Sequence, residues 1–223
     1  MKIWVVVPAF NEAHQLVAVL GPLTASGHDI IVVDDGSTDT TAEIAARYPV
    51  SLLRHPSNRG QGAALRTGIA AALDHGADVV VTFDADGQHD PSDIPRLVEP
   101  VVTGRADVVL GSRFRGRVIG LPRSRRLLLY AARAFTRAFS GMAVTDPQNG
   151  LRALSRAAAE RIQIVQDGMA HASEIIDQIR RHRLRWCEVP VTVRYTAATR
   201  AKGQSAWNAF RIVGRLLAGK VFR

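Results

Sequence analysis

One cysteine, Cys187, stands in 223 residues. Neither an internal disulfide framework nor a cysteine-based zinc cluster can form, and the thiol is read as a small buried apolar side chain. Long apolar runs are also missing. The longest, such as Leu127–Ala132, covers one or two helical turns, whereas a membrane-spanning helix needs ~20 apolar residues. Met1-Lys2 leads straight into the apolar Ile3–Val7, without the ordered regions of a signal peptide. No internal repeat, low-complexity tract or Pro/Ser-rich linker interrupts the chain. There is no P-loop pattern, no G-x-S-x-G elbow and no H-E-x-x-H spacing. Three tryptophans and several arginine clusters come without a recognised nucleic-acid module, so no nucleic-acid partner is expected.

Basic charge is scarce in the first half and acidic charge in the second. Residues 1–104 hold 6 Lys/Arg against 13 Asp/Glu, and residues 105–223 hold 23 against 7. The net charge of +9 hides this asymmetry. Acidic groups gathered early suit a cation site. Basic groups gathered late suit a phosphorylated partner or an anionic surface, with a solvated basic face as the plain alternative. With 47% apolar residues, one domain over 1–223 with a sizeable core is expected.

What is present first is a strand–helix alternation. Ile3–Val7 is an apolar run rich in β-branched residues that suits a strand buried on both faces, Ile30–Val33 reads as a second buried strand, and Val50–Leu53, Val79–Phe83 and Val108–Leu110 read as further strands. Between them, helices are expected over Glu12–Leu20, stopped by Gly21-Pro22, and from a Ser37 or Asp39 cap to about Arg47. Two more are expected over Gly62–Leu73 and Ile94–Val101. This pattern predicts an α/β fold, a mainly parallel central sheet flanked by helices. Ligands of such sheets sit beyond the carboxyl ends of the strands. The clusters Pro8–Glu12, Asp34–Asp39 and Asp84–Gln88 should therefore converge on one edge. Further on, Arg125–Phe139 and Ala170–Arg181 have helical spacing, and Arg185–Val189 and Val191–Tyr195 are candidate paired strands. A basic amphipathic helix is expected at about 205–222, with Trp207, Phe210, Val213, Leu217 and Val221 on one face.

Asp84 and Asp86, two apart at a strand end, can turn toward one hard cation, with Gln88 as a further oxygen ligand and His89 as a nitrogen better suited to Mn²⁺. A loop with capping carboxylates explains the same letters. Asp34-Asp35 after the second strand can bond ribose hydroxyls or a base edge, or close a turn. The glycines in Asn58–Leu65 fail the dinucleotide fingerprint, since Leu65 stands where the third small residue belongs. They can approach phosphate or ribose closely, or pack a helix.

In series, Val5–Glu12, Val32–Asp39, Asn58–Ala64, Asp84–Asp90, Gly111–Phe114, Asp146–Arg152 and Lys202–Ser205 resemble the family 2 glycosyltransferases of GT-A type. The likeness is closest to the dolichol-phosphate mannose synthase and polyprenyl-phosphate glycosyltransferase branch, and it spans almost the whole chain. It implies a nucleotide-diphospho-sugar transferase fold and an inverting, metal-dependent hexosyltransferase. Pro8, Phe10, Glu12 and Asp35 would line the nucleoside pocket, and Ala85 would join them in binding the donor. Asp84, Asp86 and Gln88 would hold Mg²⁺ or Mn²⁺ against the diphosphate. Arg113, helped by Arg125 or a neighbour in Arg123–Arg126, would face the acceptor phosphate. Asp146 and Gln148 would sit near the sugar, and Arg200 and Lys202 over the diphosphate. The implied donor is a nucleotide sugar, GDP-mannose or UDP-glucose. The implied acceptor is a polyprenyl phosphate met at the cytoplasmic membrane face, where the enzyme would be peripheral.

Three other readings compete. A soluble sugar or phosphorylated small molecule can serve as acceptor, in which case Asp146 is the candidate base. Nucleotidylyl transfer shares the carboxylate-bound metal, but a Gly/Arg/Lys-rich loop usually follows its first strand, where Pro8–Glu12 stands here. A non-catalytic anion-binding module would use the basic half and leave Asp84, Asp86 and Asp146 without purpose.

Overall fold

A computed structural model describes residues 1–121 and 141–195, together with Arg126, Leu129, Tyr130, Arg133, Ala134 and Arg137. Seven strands form one sheet: β1 (Ile3–Ala9), β2 (Asp29–Asp34), β3 (Ser51–Arg54), β4 (Val79–Thr82), β5 (Val108–Ile119), β6 (Arg152–Ser155) and β7 (Trp186–Arg194). Their order is β3-β2-β1-β4-β6-β5-β7. All pairings are parallel except those of β6, which runs antiparallel to β4 and β5. The mainly parallel sheet is as expected; the reversed four-residue β6 was not read from the sequence.

The apolar runs work because both faces of the sheet are covered. Alternate residues point to opposite faces. Val5, Val7 and Ala9 of β1 join Ile30, Val32, Val79 and Val81 in one core. Trp4 and Val6 join Ile31, Val33 and Val80 in the other. The first core is closed by α1 (Ala13–Ala25), α2 (Thr41–Ala45) and α4 (Ile94–Val102). The second is closed by α3 (Gln61–Asp74), α5 (Arg156–Arg161) and α6 (His171–Arg181).

Two expectations need correction. Helix α1 does not stop at Gly21-Pro22 but continues to Ala25, with Pro22 inside it. The Pro22 ring is exposed, and the next residue, Leu23, is fully buried below Leu16 and Leu20. An interior proline costs about 3 kcal/mol. Burying Leu23 offsets most of that, at about 2 kcal/mol. The two strand candidates near the C-terminal side are one strand, β7, paired in parallel with β5 across Pro190. β7 is an edge strand, where a missing N–H is tolerated. The register shifts between Ser112 and Arg117. There Gly116 lets the two backbones approach, since a Cβ would lie 2.2 Å from the Val191 carbonyl oxygen.

Smaller differences follow local chemistry. Neither Ser37 nor Asp39 is the N-cap of α2: Thr40 stands there without a side-chain cap bond, while Asp39 accepts the Thr41 N–H at 3.0 Å and Ser37 turns to Asn11. Cys187 is half-buried beside the core rather than within it. Of the helix expected over 125–139, the described residues are helical and Leu129 is buried. Leu128, Ala132, Phe135, Phe139 and the helix expected at about 205–222 lie outside the described residues. Among the described residues no helix is long and apolar enough to cross a membrane.

Gly68 sits where α3 crosses the sheet. A Cβ there would lie 2.3 Å from Val6 Cγ1 and 3.1 Å from Val33 Cγ2. Gly68→Ala should therefore lower stability by about 1–3 kcal/mol by urea denaturation, although alanine is the better helix former by about 1 kcal/mol. A stabilised variant would refute this close packing.

Candidate active site

The carboxyl ends of β1, β2 and β4 and the first residue of β6 meet at one edge of the sheet. A cavity of about 400 Å³ opens there. Pro8, Phe10, Glu12 and Gln15 border it from the β1–α1 turn, and Asp35 from the end of β2. Asn58 and Gln61 enter from the turn before α3. Asp84, Ala85, Asp86, Gln88 and His89 follow β4. Arg113 comes from β5, and Gln148 and Met169 from the loops after it. The three predicted clusters thus converge. Asp146 does not line the cavity but stands behind Arg113. Arg125, Arg200 and Lys202 lie outside the described residues.

The first two clusters are stitched to each other. Asn11 adopts a left-handed conformation (φ 53°), which asparagine tolerates better than most residues. Its amide gives to Ser37 Oγ at 2.9 Å, and its side-chain oxygen takes the Thr38 N–H at 2.9 Å. The Glu12 N–H gives to Thr41 Oγ1 at 2.9 Å. Asp34 takes the Ser37 N–H at 3.1 Å and pairs with Arg54 at 2.9 Å. Asp34 is therefore a structural acid. Asp35 is the one that reaches the cavity. It accepts from the backbone of Arg59 (3.0 Å) and Gly60 (2.7 Å), and from His55 Nδ1 (2.6 Å).

Gly60 and Gly62, at the start of α3, pack closely against another segment of the chain. The Gly62 N–H gives to the Asp167 carbonyl at 2.7 Å. A Cβ on Gly62 would meet the Gln166 carbonyl oxygen at 2.0 Å, and one on Gly60 the Asp167 oxygen at 2.4 Å.

After β4, Asp84 receives Gln61 Nε2 at 2.8 Å and His89 Nε2 at 3.3 Å. Gly150 lies flat against its carboxylate, where a Cβ would come 2.0 Å from Oδ2. Burial by itself would push the Asp84 carboxyl up, but the His89 bond and the charges of His89 and Arg152 hold it below its ordinary value. Asp86 is pushed up by burial and then by the charge of Asp84. Gln88 closes onto Asp86, its N–H reaching Oδ1 at 3.0 Å and its side-chain amide reaching Oδ2. Among the described residues no three His, Cys, Asp or Glu side chains form a preformed cation cage. Two carboxylates two residues apart, one of which raises the charging cost of the other, nevertheless fit a hard divalent cation. Mg²⁺ is commonly bound by one or two carboxylates together with substrate phosphates.

Beneath the cavity lies a buried charge array. Asp146 Oδ2 takes Arg113 Nε at 2.6 Å, the Arg113 N–H at 2.9 Å and Asn149 Nδ2 at 3.0 Å. Arg113 also donates to the Tyr195 hydroxyl. Burial would lower the Arg113 pKa, but Asp146 and Tyr195 raise it instead. Glu188 holds the next turn, accepting from Thr145 N–H at 2.7 Å and Oγ1 at 2.9 Å, and it pairs with Arg115 at 3.2 Å. Arg152 is fully buried, and its Nη1 has no hydrogen-bond partner. Burial pushes its pKa down to about 10, opposed by Asp84 and Asp146, so it stays charged at neutral pH. Sequence reasoning missed Arg152, Glu188, Tyr195 and His55. The usable signal was a charged residue inside an apolar stretch, as in Leu151-Arg152-Ala153-Leu154 and Cys187-Glu188-Val189.

Residues 4–163 match the description "Glycosyl transferase family 2". A UDP-N-acetylglucosamine–dolichyl-phosphate N-acetylglucosaminyltransferase of Methanococcus voltae is 32% identical, over 98% of this chain and 96% of its own. An undecaprenyl-phosphate mannosyltransferase of Micrococcus luteus is 34% identical over 86% of this chain and 83% of its own. Among solved structures, glucosyl-3-phosphoglycerate synthase from Mycobacterium tuberculosis, in complex with Mn²⁺, UDP-glucose and phosphoglyceric acid, superposes with a TM-score of 0.72. It is 26% identical and covers 97% of this chain and 79% of that one.

His171, at the start of α6, is buried beside this array. Burial and then the charge of Arg152 lower its pKa from 6.5 to about 4, against a bond to the Gly168 carbonyl. The native chain keeps His171 neutral down to about pH 4, while the unfolded chain takes up the proton near 6.5. The unfolded state therefore binds more protons in this window, and stability falls as pH falls through it, by up to about 3 kcal/mol. Urea unfolding at pH 6.5, 5 and 4 should show this loss, and His171→Gln should flatten it. An equal slope in the variant would assign the loss to other groups.

Proposed function

Because the chain belongs to glycosyl transferase family 2, we propose that it moves a hexose from a nucleoside-diphosphate sugar to a polyprenyl phosphate, with inversion and with Mg²⁺ or Mn²⁺. The fold is of the GT-A type. The observation that carries the reading is one cavity bordered in turn by Asp35, the Asp84–Asp86 pair and Arg113. These are an acceptor for a nucleoside, a carboxylate pair for a cation and a fixed guanidinium for an anion. The relatives that match over most of the chain have dolichyl and undecaprenyl phosphate in their names, which favours the lipid-linked acceptor. The donor is GDP-mannose or UDP-glucose.

In this reading an oxygen of the acceptor phosphate attacks the anomeric carbon as the bond to the nucleoside diphosphate breaks. A phosphomonoester is already ionised near neutral pH, with a second pKa of ~6, and needs little help from a base. Arg113, charged and held by Asp146 and Tyr195, orients the acceptor anion for in-line attack. Asp84, Asp86 and Gln88 hold the cation, which when bound supplies positive charge against the leaving diphosphate. Pro8, Phe10, Glu12 and Ala85 line the donor pocket with Asp35, and Gln148 borders the sugar. Arg125, Arg200 and Lys202 are proposed to complete the phosphate contacts. Asp146 acts through Arg113. The enzyme meets its acceptor as a peripheral protein at the cytoplasmic membrane face.

A soluble phosphorylated acceptor is the second reading, favoured by the likeness to a structure holding phosphoglyceric acid. Donor, Mn²⁺ and vesicles containing polyprenyl phosphate should give labelled sugar in the organic phase. Label found only in the aqueous phase, with phosphoglyceric acid, would replace the first reading by the second. Asp86→Ala should cut turnover by about 10³-fold or more and abolish metal-dependent donor binding while leaving the melting temperature near that of the wild type. Undiminished turnover in that variant would remove the cation assignment.

A further inference from the structure

Asp35 borders the cavity yet is only 2% exposed. A carboxylate offers about four acceptor positions, two on each oxygen. Among the described residues, Oδ1 receives His55 Nδ1 at 2.6 Å and the Arg59 N–H at 3.0 Å. Both of its positions are filled. Oδ2 receives the Gly60 N–H at 2.7 Å, which leaves one position open. Asp35 therefore has a single acceptor to give to whatever enters.

His55 is what makes this so. Its ring is buried, and its Nε2 lies 3.0 Å from Thr67 Oγ1. A carboxylate has no proton to give, so the hydrogen of the short contact sits on Nδ1. In the neutral ring Nε2 is then an acceptor and takes the Thr67 hydroxyl proton. The His55 N–H is anchored as well, giving to the Asp34 carbonyl at 2.9 Å. Asp35 thus sets the tautomer, Thr67 anchors the far side of the ring, and His55 occupies a position on Oδ1.

The bases differ in what they ask of such a group. Guanine presents two adjacent donors, N1–H and N2–H₂, and a carboxylate answers both only with two open oxygens. Uracil presents one donor, N3–H, between two carbonyls. Cytosine and adenine turn a ring-nitrogen lone pair toward the same place. We propose that the Thr67–His55 pair, by occupying one oxygen of Asp35, makes this pocket select a uridine nucleotide over a guanosine nucleotide. His55 is a positioning residue that acts through Asp35. The inference rests on the donor-site reading above and sharpens it, since that reading leaves the base open.

Calorimetric binding of UDP, GDP, CDP and ADP, with Mn²⁺ present, tests it. The wild type should prefer UDP over GDP by about tenfold or more. His55→Leu opens one of the two positions on Oδ1 and should narrow that ratio by about tenfold. Thr67→Val leaves the imidazole in place without its anchor at Nε2 and should narrow the ratio less. His55→Gln, which keeps an N–H donor, should preserve it. Loss of general stability alone would weaken all four nucleotides together and leave the ratio unmoved. A wild type that binds GDP as tightly as UDP overturns the proposal, as does an unchanged ratio in both H55L and T67V. If H55L fails to fold, T67V and H55Q decide by the same ratio. A wild type that binds none of the four nucleotides would instead remove the donor-site reading itself.

Discussion

The site depends on charges that have no water to fall back on. Asp146 and Glu188 have fully buried side chains, and an uncompensated buried charge costs several kcal/mol. Each is answered by an arginine of β5, Asp146 by Arg113 and Glu188 by Arg115. Glu188 fixes the backbone at Thr145 and Asp146, which sets Asp146 where it can grip both the side chain and the N–H of Arg113. Arg152 lies under the same floor, its charge opposed by Asp84 and Asp146. Remove one member and its partner is left buried and unpaired. The loop at 145–150, the middle of β5 and the acids after β4 are thus one electrostatic unit, whatever their distance in sequence.

Strand order then decides how the unit is laid out. Along the edge, Asp35 follows β2, the Asp84–Asp86 pair follows β4 and Arg113 belongs to β5. Counting across β1, β4 and β6, β2 and β5 are four steps apart, or roughly 19 Å at the usual ~4.8 Å between strands. The groups are therefore not a cluster around one atom but a row. A ligand with a base at one end and an acidic group or its leaving bond further along matches a row. The antiparallel β6 matters here, because its first residue, not its last, lies at the edge. That brings Gly150 and Arg152 next to Asp84.

Much of this was legible from the chain. Apolar β-branched runs marked β1, β2 and β4, because burial on both faces leaves little room for polar residues. The rule for parallel sheets places Asp35, Asp84 and Asp86 at one edge from the sequence alone. What escaped reading did so for physical reasons. β6 is four residues long and begins with an arginine, so no period can be seen in it. Pro190 looks like a break, yet on an edge strand it breaks nothing. Gly21-Pro22 looks like a stop, yet the ring faces solvent and Leu23 draws the helix onward. Arg152 and Glu188 were passed over because single charges usually mean surface, and only the low polarity on either side hinted otherwise. Asp146 was expected beside the sugar; its dense set of donors gives it the work of holding Arg113.

The parts of the row differ in how ready they are. Asp35 and Arg113 are already held by several partners, so little ordering remains to be done when a ligand arrives. The loop after β4 is different. Gln88 is closed onto Asp86, and the intervening Gly87 has a φ of 74°. For Asp86 to turn to a cation, that internal contact must open. The same loop is tied to β7, through the Arg194 N–H to the Gln88 carbonyl at 2.9 Å and a bridge between His89 and Val193. The next residue of that segment, Tyr195, accepts from Arg113. Gln88 and Arg113 thus share a short stretch of backbone as support. Energies of substitutions at groups that share partners do not add, so a change at either cannot be interpreted as a loss at that position alone.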